Sequence, residues 1–403
     1  MSNQILTIAM ITREALRILE NNLMFTKQVN RNYDDESGKR GAKIGNTLNI
    51  RLPQRYVGRS GPVISVEDQT ENYVSLTLGT QRGVDVQFTS QDMELSMDDF
   101  SERFLAPAIA SVSNHIDYDG LSQAVNVYQS VGTPGTTPSL LLNYLNAGVK
   151  LDFSAVPRDG MRAIVQDPQS QALTANQLTT LYNPTEEIAK QYTTGTMGRA
   201  VGFKWSMDQN VNSHVYGSQG NTPITKATTT QTGSSLIITT GGGTVTNYVQ
   251  AGDVFTIATV YAVNPQTRAT TGQLQQFVCT AAGSTNSGGT ATLTISPSII
   301  PSGQYQTVTV APTGSNAITF NASAGTTEVM NLAFHRDAFV LGSADLQLPK
   351  GVDMAARVSS KRTGLSIRMA RQWDVVNDLF ITRLDVLYGW ATVYPQLACR
   401  VCG

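Results

Sequence analysis

The chain has 403 residues, 40% of them hydrophobic, which is enough apolar material for at least one core and a length typical of two to four domains. Because 29 Lys and Arg side chains nearly balance 30 Asp and Glu side chains, a dedicated, strongly basic nucleic-acid-binding protein is disfavoured. With 3 cysteines, no signal-peptide pattern and no run of 18 apolar residues, a disulfide framework and a membrane-spanning helix are excluded, and we expect a protein kept inside the cell.

The N-terminal region predicts an amphipathic helix that docks on the rest of the protein. Thr12 is the expected N-cap, because its side-chain oxygen can accept a hydrogen bond from the first helical turn. Charged residues occupy one side of the pattern, so only the opposite stripe is expected to be buried. Its apolar residues recur at spacings of three and four: Ala15, Leu16, Leu19 and Leu23.

Alternating apolar and polar residues then predict extended structure. Strands are expected near residues 47–52 and 74–78, with further strand at 84–88 and a turn-rich tip at 58–62, so that residues 45–89 form a long hairpin-like loop. An isolated two-stranded arm is only marginally stable in water. We therefore expect another surface, such as that of another subunit, to brace this extended loop.

Residues 96–116 predict the longest helix of the chain. Ser96, followed three residues later by Asp99, is a helix N-terminus pattern, and apolar residues follow at helical spacing. Pro107 lies inside the pattern and should either kink the helix or mark the first turn of a second helix after a break.

The region between Val215 and Thr327 has a different composition from the rest of the chain. It contains only three charged residues, Lys226, Asp253 and Arg268, in a background of Thr, Gly, Ser, Asn and Gln. A disordered spacer could have this composition, but β-branched apolar runs recur between turn residues and predict a small sandwich or barrel. The expected strands are residues 235–239, 254–257, 276–280, 292–295 and 307–310.

Mixed α and β patterns on both sides of this β-rich region indicate that it interrupts a single α+β domain. The expected elements are a strand at residues 161–166, a helix near 172–182, and further mixed segments at 202–205, 331–341, 365–369 and 381–388.

No catalytic or nucleotide-binding motif is found in the sequence. The three histidines, His115, His214 and His335, have no recognisable catalytic or metal-binding setting. Cys399 and Cys402 have the spacing of half a zinc site or a redox pair, but the other ligands and the strand-to-helix turn are missing, so we expect two small apolar residues. We therefore expect no catalytic residue, no cofactor and no metal.

Clustered charges have simpler explanations than chemistry. The carboxylate pairs could hold a divalent ion, but helix-start and solvated-loop roles explain them more simply. A basic cluster near the C-terminus could face phosphate, yet it lacks interleaved aromatics, so we expect a solvated strand face or acidic partners. The carboxylates are Asp34, Asp35, Glu36, Asp98, Asp99, Asp117 and Asp119; the basic cluster is Lys350, Arg357, Lys361, Arg362, Arg368 and Arg371, against Asp353.

Several phrases in a fixed order resemble the major capsid proteins of tailed bacteriophages, specifically the short-tailed-phage coat protein type with an inserted β-domain. The resemblance covers nearly the whole chain. The phrases are TREALRILENN at residues 12–22, GNTLNIR at 45–51, PAIA at 107–110, NHID at 114–117, GFKW at 202–205, GDVFTI at 252–257, VYAVNP at 260–265 and RLDVLYGW at 383–390.

This resemblance implies an α+β tailed-phage major capsid fold and a structural protein rather than an enzyme. The implied parts are an N-terminal arm (1–44), an extended loop (45–90), the long spine helix of a peripheral domain (91–130), a peripheral and axial region (131–213), an inserted barrel-like β-domain (214–328) and a return to the axial and peripheral domains (329–403).

The resemblance also implies a function and partners. Copies would form pentamers and hexamers in an icosahedral shell, assembled in the host cytoplasm around the genome of a tailed double-stranded DNA phage. Because the arm begins almost at Met1, assembly control is expected from a separate scaffolding protein or from the coat fold itself. A portal and weak, non-specific contact with packaged DNA are expected, and no membrane partner.

Four arginines are candidates for contacts between subunits. Arg51, Arg55 and Arg59 lie along the extended loop with few local acids, and Arg268 lies in a turn-rich loop of the β-rich region, where an idle solvated loop is the alternative. Two other classes of protein remain open: a β-domain-bearing adhesive or carbohydrate-binding surface protein, and an intracellular enzyme with an unfamiliar site.

Overall fold

The computed structural model of the protein describes residues 8–31, 47–59, 61–64, 66–69, 71–89, 105–178, 197–219, 225–227, 230–240, 242–314, 316–360 and 363–403. The chain divides into two compact units. The first comprises Met1–Ile50, Tyr73–Leu121 and Phe339–Ala391, and the second comprises Arg51–Asn72, Ser122–Ala338 and Thr392–Gly403.

Four α-helices of the described residues lie in the first half of the chain, and strands predominate after them. These α-helices are α1 (Ile8–Asn22), α2 (Ala106–Leu121), α3 (Leu141–Phe153) and α4 (Pro168–Leu178). The strands are β1 (Thr47–Arg51), β2 (Tyr73–Thr77), β3 (Thr80–Thr89), β4 (Ser130–Val131), β5 (Arg162–Gln166), β6 (Arg199–Ala200), β7 (Phe203–Met207), β8 (Ser213–Val215), β9 (Thr225–Ala227), β10 (Gly233–Thr239), β11 (Val254–Val263), β12 (Thr270–Cys279), β13 (Thr290–Ile299), β14 (Ala317–Phe320), β15 (Thr327–Val329), β16 (Asn331–His335), β17 (Phe339–Ala344), β18 (Met354–Ser359), β19 (Ser366–Asp374), β20 (Leu379–Thr392) and β21 (Ala398–Val401).

Helix α1 buries the stripe that the sequence predicts, because Ala15, Leu16, Leu19 and Leu23 are all buried. The predicted N-cap is wrong. The helix already includes Ile8, so Thr12 lies inside it, fully buried, with its hydroxyl 3.8 Å from the sulfur of Met369. The Thr12 side chain therefore packs in the core instead of capping the N-terminus of the helix.

Helix α2, the longest among the described residues, begins at Ala106 and places Pro107 in its first turn. A proline is tolerated there because the first turn has no intrahelical partner for a backbone N–H. Of the two outcomes predicted for Pro107, the structure shows the second, a position in the first turn of a helix. The predicted helix start at Ser96 and Asp99 lies outside the described residues. Gly120 allows close packing at the other end, since a Cβ there would lie 2.6 Å from the Trp390 ring.

The sheet of the first unit is organised around the long strand β20. It pairs with β19 on one side and with β3 over ten residues, from Thr80 opposite Tyr388 to Thr89 opposite Leu379. Strand β3 therefore belongs to the five-stranded sheet rather than to the hairpin, which consists of β1 and β2 alone. Strand β18, which the sequence analysis missed, forms an outer strand next to β19.

The second unit contains a six-stranded sheet in the order β4, β21, β16, β5, β7, β6. Every residue of β5, β16 and β21 is buried. Helix α3 covers the sheet with Tyr144, Ala147 and Leu151, and the Tyr144 ring lies 4.7 Å from that of Trp205. Helix α4 begins four residues before the predicted position, because the Asp167 carboxylate accepts hydrogen bonds from the N–H groups of Gln169 and Ser170 and so caps it.

The β-rich region folds as a closed barrel in the order β10, β13, β12, β11, β14, β9. The predicted strand at residues 307–310 is wrong. Val308 makes only an isolated bridge to Ala262, and the hydroxyl of Thr307 bonds to the Ile300 N–H and the Ser298 carbonyl in place of a strand ladder. Closure depends instead on β9 and β14, which the sequence analysis missed.

A two-stranded stem joins the barrel to the six-stranded sheet. Strands β8 and β15 pair antiparallel with Val215 opposite Thr327, so the chain enters and leaves the barrel at adjacent points. Among the described residues, no helix is long and apolar enough to cross a membrane.

We predict that residues 213–329, expressed alone, fold as an autonomous barrel, because the strands close on themselves around a dedicated core and the two ends meet in the stem. The amide NMR spectrum should be dispersed, with slow exchange in β11 and β12. Phe277 is fully buried in that core, so Phe277→Ala should reduce the unfolding free energy by about 3–5 kcal/mol. A collapsed spectrum without exchange protection for the unsubstituted segment would reject autonomy.

Candidate functional site: the extended loop and the inserted barrel

The tip of the extended loop is shaped by its own hydrogen bonds. The Glu67 carboxylate accepts from the backbone N–H groups of Val57 and Gly58 at 2.8 to 3.1 Å. Arg59 donates to the carbonyls of Gly61 and Val63. Both Gly58 and Gly61 have positive φ, as the predicted turn-rich tip requires.

The loop is also attached to the barrel of its own chain. Arg268 donates to the Tyr56 carbonyl at 2.8 Å and to the Gln304 carbonyl at 3.3 Å. Gln304 in turn donates to the Asp68 carbonyl at 2.6 Å. The bracing surface expected for the loop is therefore supplied in part from within the chain, by residues more than 200 positions away.

The four candidate arginines each have a partner inside the chain. Arg51 lies 3.7 Å from Glu71, with both side chains exposed. Arg55 donates to the amide oxygen of Gln396 at 3.0 Å. The expectation of few local acids is wrong for Arg51, since Glu71 follows in the same loop, and contacts of these arginines with other subunits stay a prediction.

Apolar side chains remain exposed on this loop and on helix α3. Val63 and Ile64 are each 79% exposed and Val66 is 88% exposed. On α3, a second set of apolar residues points away from the sheet at spacings of three and four: Leu142, Leu145, Val149 and Phe153. Contiguous exposed apolar surface of this kind marks sites of association.

The base of the barrel is held by a buried arginine. Arg400 is fully buried on β21 and donates to the carbonyls of Ala124, Val125 and Gly252 at 2.8 to 3.0 Å. Glu328, also fully buried on the stem strand β15, lies 3.9 Å from the guanidinium. Segments from three distant parts of the sequence therefore meet at one side chain.

A histidine and an aspartate form a second buried contact at the stem. His214 Nε2 lies 2.8 Å from Asp253 Oδ1. The other oxygen of Asp253 accepts from the N–H groups of Gly217 and Gln250 and from the side chain of Gln219. These bonds fix the chain where it passes from β8 into the barrel.

The other titratable residues named from the sequence also have local structural contacts. His335 contacts Asp159 at 3.2 Å, and His115 lies exposed on α2. Asp117 and Asp119 lie in the last turn of α2, so the helix-start and solvated-loop interpretation is wrong for them. Asp117 accepts from the N–H groups of Met24 and Thr26, and Asp119 pairs with Arg82 and accepts from Tyr388.

The two C-terminal cysteines are buried thiols. Cys399 packs in the core of the six-stranded sheet, where burial raises its pKa to about 12. Cys402 donates to Glu328 at 3.1 Å, and burial together with that carboxylate raises its pKa further above the ordinary range. Among the described residues no group of three His, Cys, Asp or Glu could hold a metal ion; Asp34, Asp35, Glu36, Asp98 and Asp99 lie outside them.

Comparison with known protein families gives a match to one family over nearly the whole chain. The family model "P22 coat protein - gene protein 5" matches residues 2–401. The chain belongs to the P22 coat protein family. It is a major capsid protein of the tailed-phage type, which forms the shell, and the adhesive alternative is not favoured. No curated protein sequence matches it.

Solved phage structures are similar to this coat protein at low sequence identity. A chain of the structure of Mycobacterium phage Che8 is 11% identical, with a TM-score of 0.47, 94% of this chain covered and 90% of that chain. The capsid of Cyanophage P-SCSP1u is 10% identical (TM-score 0.43, 89% and 84% covered). The mature capsid of bacteriophage PhiM1 is 11% identical (TM-score 0.42, 89% and 82% covered).

Three arginines of the basic cluster of this coat protein are paired with acids of the same unit. Arg357 lies 3.4 Å from Asp345, Arg368 bonds to Asp385 at 2.5 Å, and Arg371 bonds to Asp353 at 2.8 Å. Arg371 also lies over the Phe380 ring, 5.1 Å from its centre. Lys350 is exposed, and Lys361 and Arg362 lie outside the described residues.

Asp385 is the most buried acid in these pairs. Its side chain is 2% exposed and accepts hydrogen bonds from both Arg368 and Arg383. Burial acts to raise its pKa, but the two guanidinium groups outweigh burial and hold the pKa below its ordinary value. Its contribution to stability is therefore present above about pH 4 and lost as the pH falls through the lowered pKa.

We predict that Asp385→Asn lowers the unfolding free energy by roughly 1–3 kcal/mol at pH 7 and flattens the loss of stability below about pH 4, measured by urea unfolding of unassembled subunits across pH. Asp353→Asn, at the more exposed Arg371 pair, is the control and should change stability by only about 0–1 kcal/mol. An Asp385→Asn protein with the original acid profile would contradict the assignment.

Proposed function

We propose that this chain assembles into pentamers and hexamers of an icosahedral shell around double-stranded DNA, and that the extended loop carries contacts between copies. The observation that carries the proposal is the exposed apolar tip of the loop in a member of a shell-forming family. The N–H groups of Val57 and Gly58 and the carbonyls of Gly61 and Val63 are bonded within the chain, whereas the apolar side chains are exposed and so are suited to contact a neighbour.

Helix α3 supports a second contact surface. A ring of identical subunits joined head to tail needs two different patches on each copy, one meeting the other. The loop tip and the exposed stripe of α3 (Leu142, Leu145, Val149 and Phe153) are two such apolar patches. The charged residues Lys150 and Asp152 of α3 bond to Gln276 and to Arg158 and Arg162, so they do not interrupt the stripe.

The four arginines Arg51, Arg55, Arg59 and Arg268 are proposed as additional contacts with neighbouring carboxylates. Arg51 and Arg59 are the most accessible, since both lie exposed on the loop. An exposed ion pair contributes only about 0.2–1 kcal/mol, so these contacts would select the geometry of assembly and gain weight by repetition over the shell.

We predict that Ile64→Asp prevents or slows shell assembly while leaving the melting temperature of the unassembled subunit within about 2 °C. The reason is that Ile64 is exposed in the subunit, and a carboxylate would have to be desolvated in the contact. Particle size by electron microscopy and light scattering measures assembly, and Ile64→Val, which keeps the apolar surface, is the matched control.

Hydrogen exchange gives an independent check of the same contact. Amides of residues 51–72 should exchange more slowly in the shell than in subunits. Equal protection in both states, together with normal assembly of Ile64→Asp, would remove the extended loop from the contact and leave family membership untouched.

Packaged DNA is expected to be contacted weakly. The formal net charge is −1, and at least three arginines of the basic cluster are committed to acids of their own subunit. Tight phosphate contacts would also oppose packaging and ejection of the genome.

We predict binding of unassembled subunits to duplex DNA weaker than about 1 μM at physiological salt, measured by fluorescence titration at two salt concentrations. Each phosphate contact would add about −0.9 to the slope of log K against log salt. Submicromolar, steeply salt-dependent binding that is abolished by Lys361→Ala with Arg362→Ala would restore a nucleic-acid-binding role for the cluster.

Assembly in the host cytoplasm with a separate scaffolding protein and a portal completes the proposal. Family membership supports it. Co-expression of the chain with and without candidate scaffolding proteins, followed by particle sizing, tests whether closed shells of one size require the second protein.

A further inference from the structure

A cleft with a mixed polar and apolar lining opens in the second unit where the barrel, the end of α3 and the start of the extended loop come together. Its volume is about 80 Å³, several times the ~10–15 Å³ that one water requires. Six glutamines contribute to the lining beside apolar residues: Gln129, Gln273, Gln275, Gln276, Gln306 and Gln396. The cleft therefore offers polar groups and room for more than a single water.

Two cations, Lys150 and Arg55, line this cleft. The Lys150 ammonium donates to the amide oxygen of Gln276 at 3.2 Å, and Arg55 donates to the amide oxygen of Gln396 at 3.0 Å. Within the part of the chain that the structure describes, neither cation has a carboxylate within 4.0 Å. This sets them apart from Arg357, Arg368, Arg371 and Arg400, each of which has an acid in reach.

A pair of cations held by neutral amides is electrostatically incomplete. Burial lowers the pKa of Lys150, because the ammonium loses hydration without gaining an opposite charge. The nearby titratable groups do not supply one: Cys399 and Tyr128 both have pKa values raised to about 12 by burial, so they are neutral at pH 7. An anion in the cleft would supply the opposite charge that both cations lack.

We propose that this cleft is an oxyanion site, in which Lys150 and Arg55 together hold one carboxylate or phosphate group. The guanidinium offers a planar set of donors that matches two oxygens of such a group, and the ammonium adds a compact charge. The side-chain amides of Gln129, Gln275, Gln276 and Gln306 already donate within the chain, so the two cations are the donors that the site offers. The occupant comes either from free inorganic phosphate or from an Asp or Glu side chain of a second copy of this chain, the latter resting on the proposed assembly.

Phosphate titration of unassembled full-length subunits tests the site directly. At constant ionic strength, with chloride as the replaced ion, phosphate should raise the melting temperature and saturate at millimolar concentration, as expected for a ligand of the folded state. Lys150→Gln keeps a donor toward Gln276 and removes the charge, and Arg55→Gln does the same toward Gln396. Each should weaken phosphate binding by about tenfold or more.

The control is Lys204→Gln, because Lys204 lies exposed on β7 and outside the cleft. It should respond to phosphate like the unsubstituted chain. An equal response of the unsubstituted chain, Lys150→Gln and Arg55→Gln, or no saturable response at all, would overturn the proposal. Placing the two charge-removing substitutions on different segments keeps the test valid if one of them impairs folding.

The same titration on assembled shells separates the two sources. Loss of the phosphate response in shells, together with weaker assembly of Lys150→Gln, assigns the cleft to a carboxylate of a neighbouring copy. Retention of the response in shells assigns it to free phosphate. Because the subunit titration needs no assembly, its outcome stands even if the proposed contacts of the extended loop fail.

Discussion

Burial of the Arg400 guanidinium is the constraint around which the second unit is arranged. A charged group with no exposed surface must find a hydrogen-bond acceptor for its donors, or its desolvation would cost several kcal/mol. Arg400 meets this requirement with three backbone carbonyls, from Ala124, Val125 and Gly252. Since those carbonyls come from the segment after α2 and from the turn before β11, satisfying one side chain fixes the C-terminal strand, that segment and the barrel together.

The barrel can then be an insertion without disturbing the sheet that it interrupts. The stem strands β8 and β15 bring the two ends together, and the bonds of Asp253 to His214 and to neighbouring N–H groups hold the first turn after the stem. Within the barrel, apolar side chains such as Phe255 and Phe277 stack 5.7 Å apart in a core of their own. Polar contacts at the base of the barrel fix its attachment to the stem, and burial of apolar side chains inside the barrel stabilises it.

Local patterns predicted much of this fold, and long-range contacts account for what was missed. Most strands of the barrel were predictable, because β-branched runs between turn residues are a local signal. Closure of the barrel was not predictable, because the two strands that complete it, β9 and β14, are short. They are defined by their pairing with each other and with β10 and β11. The same limit applies to Arg268, whose contact with Tyr56 spans 212 positions and leaves no trace in spacing or composition.

In the extended loop, several backbone groups are bonded within the chain while side chains remain exposed, and this difference matters for assembly. In the extended loop, Glu67 and Arg268 occupy backbone groups that an exposed arm would otherwise offer to any passing strand. The apolar side chains of Val63, Ile64 and Val66 stay exposed, as do the side chains of Arg51 and Arg59 beside their partners within the loop. A contact made by side chains is selective for a complementary surface, whereas backbone pairing is not. With a net charge of only −1, copies can approach one another without strong repulsion, so in the proposed assembly shape complementarity and these few side chains would select which surfaces meet.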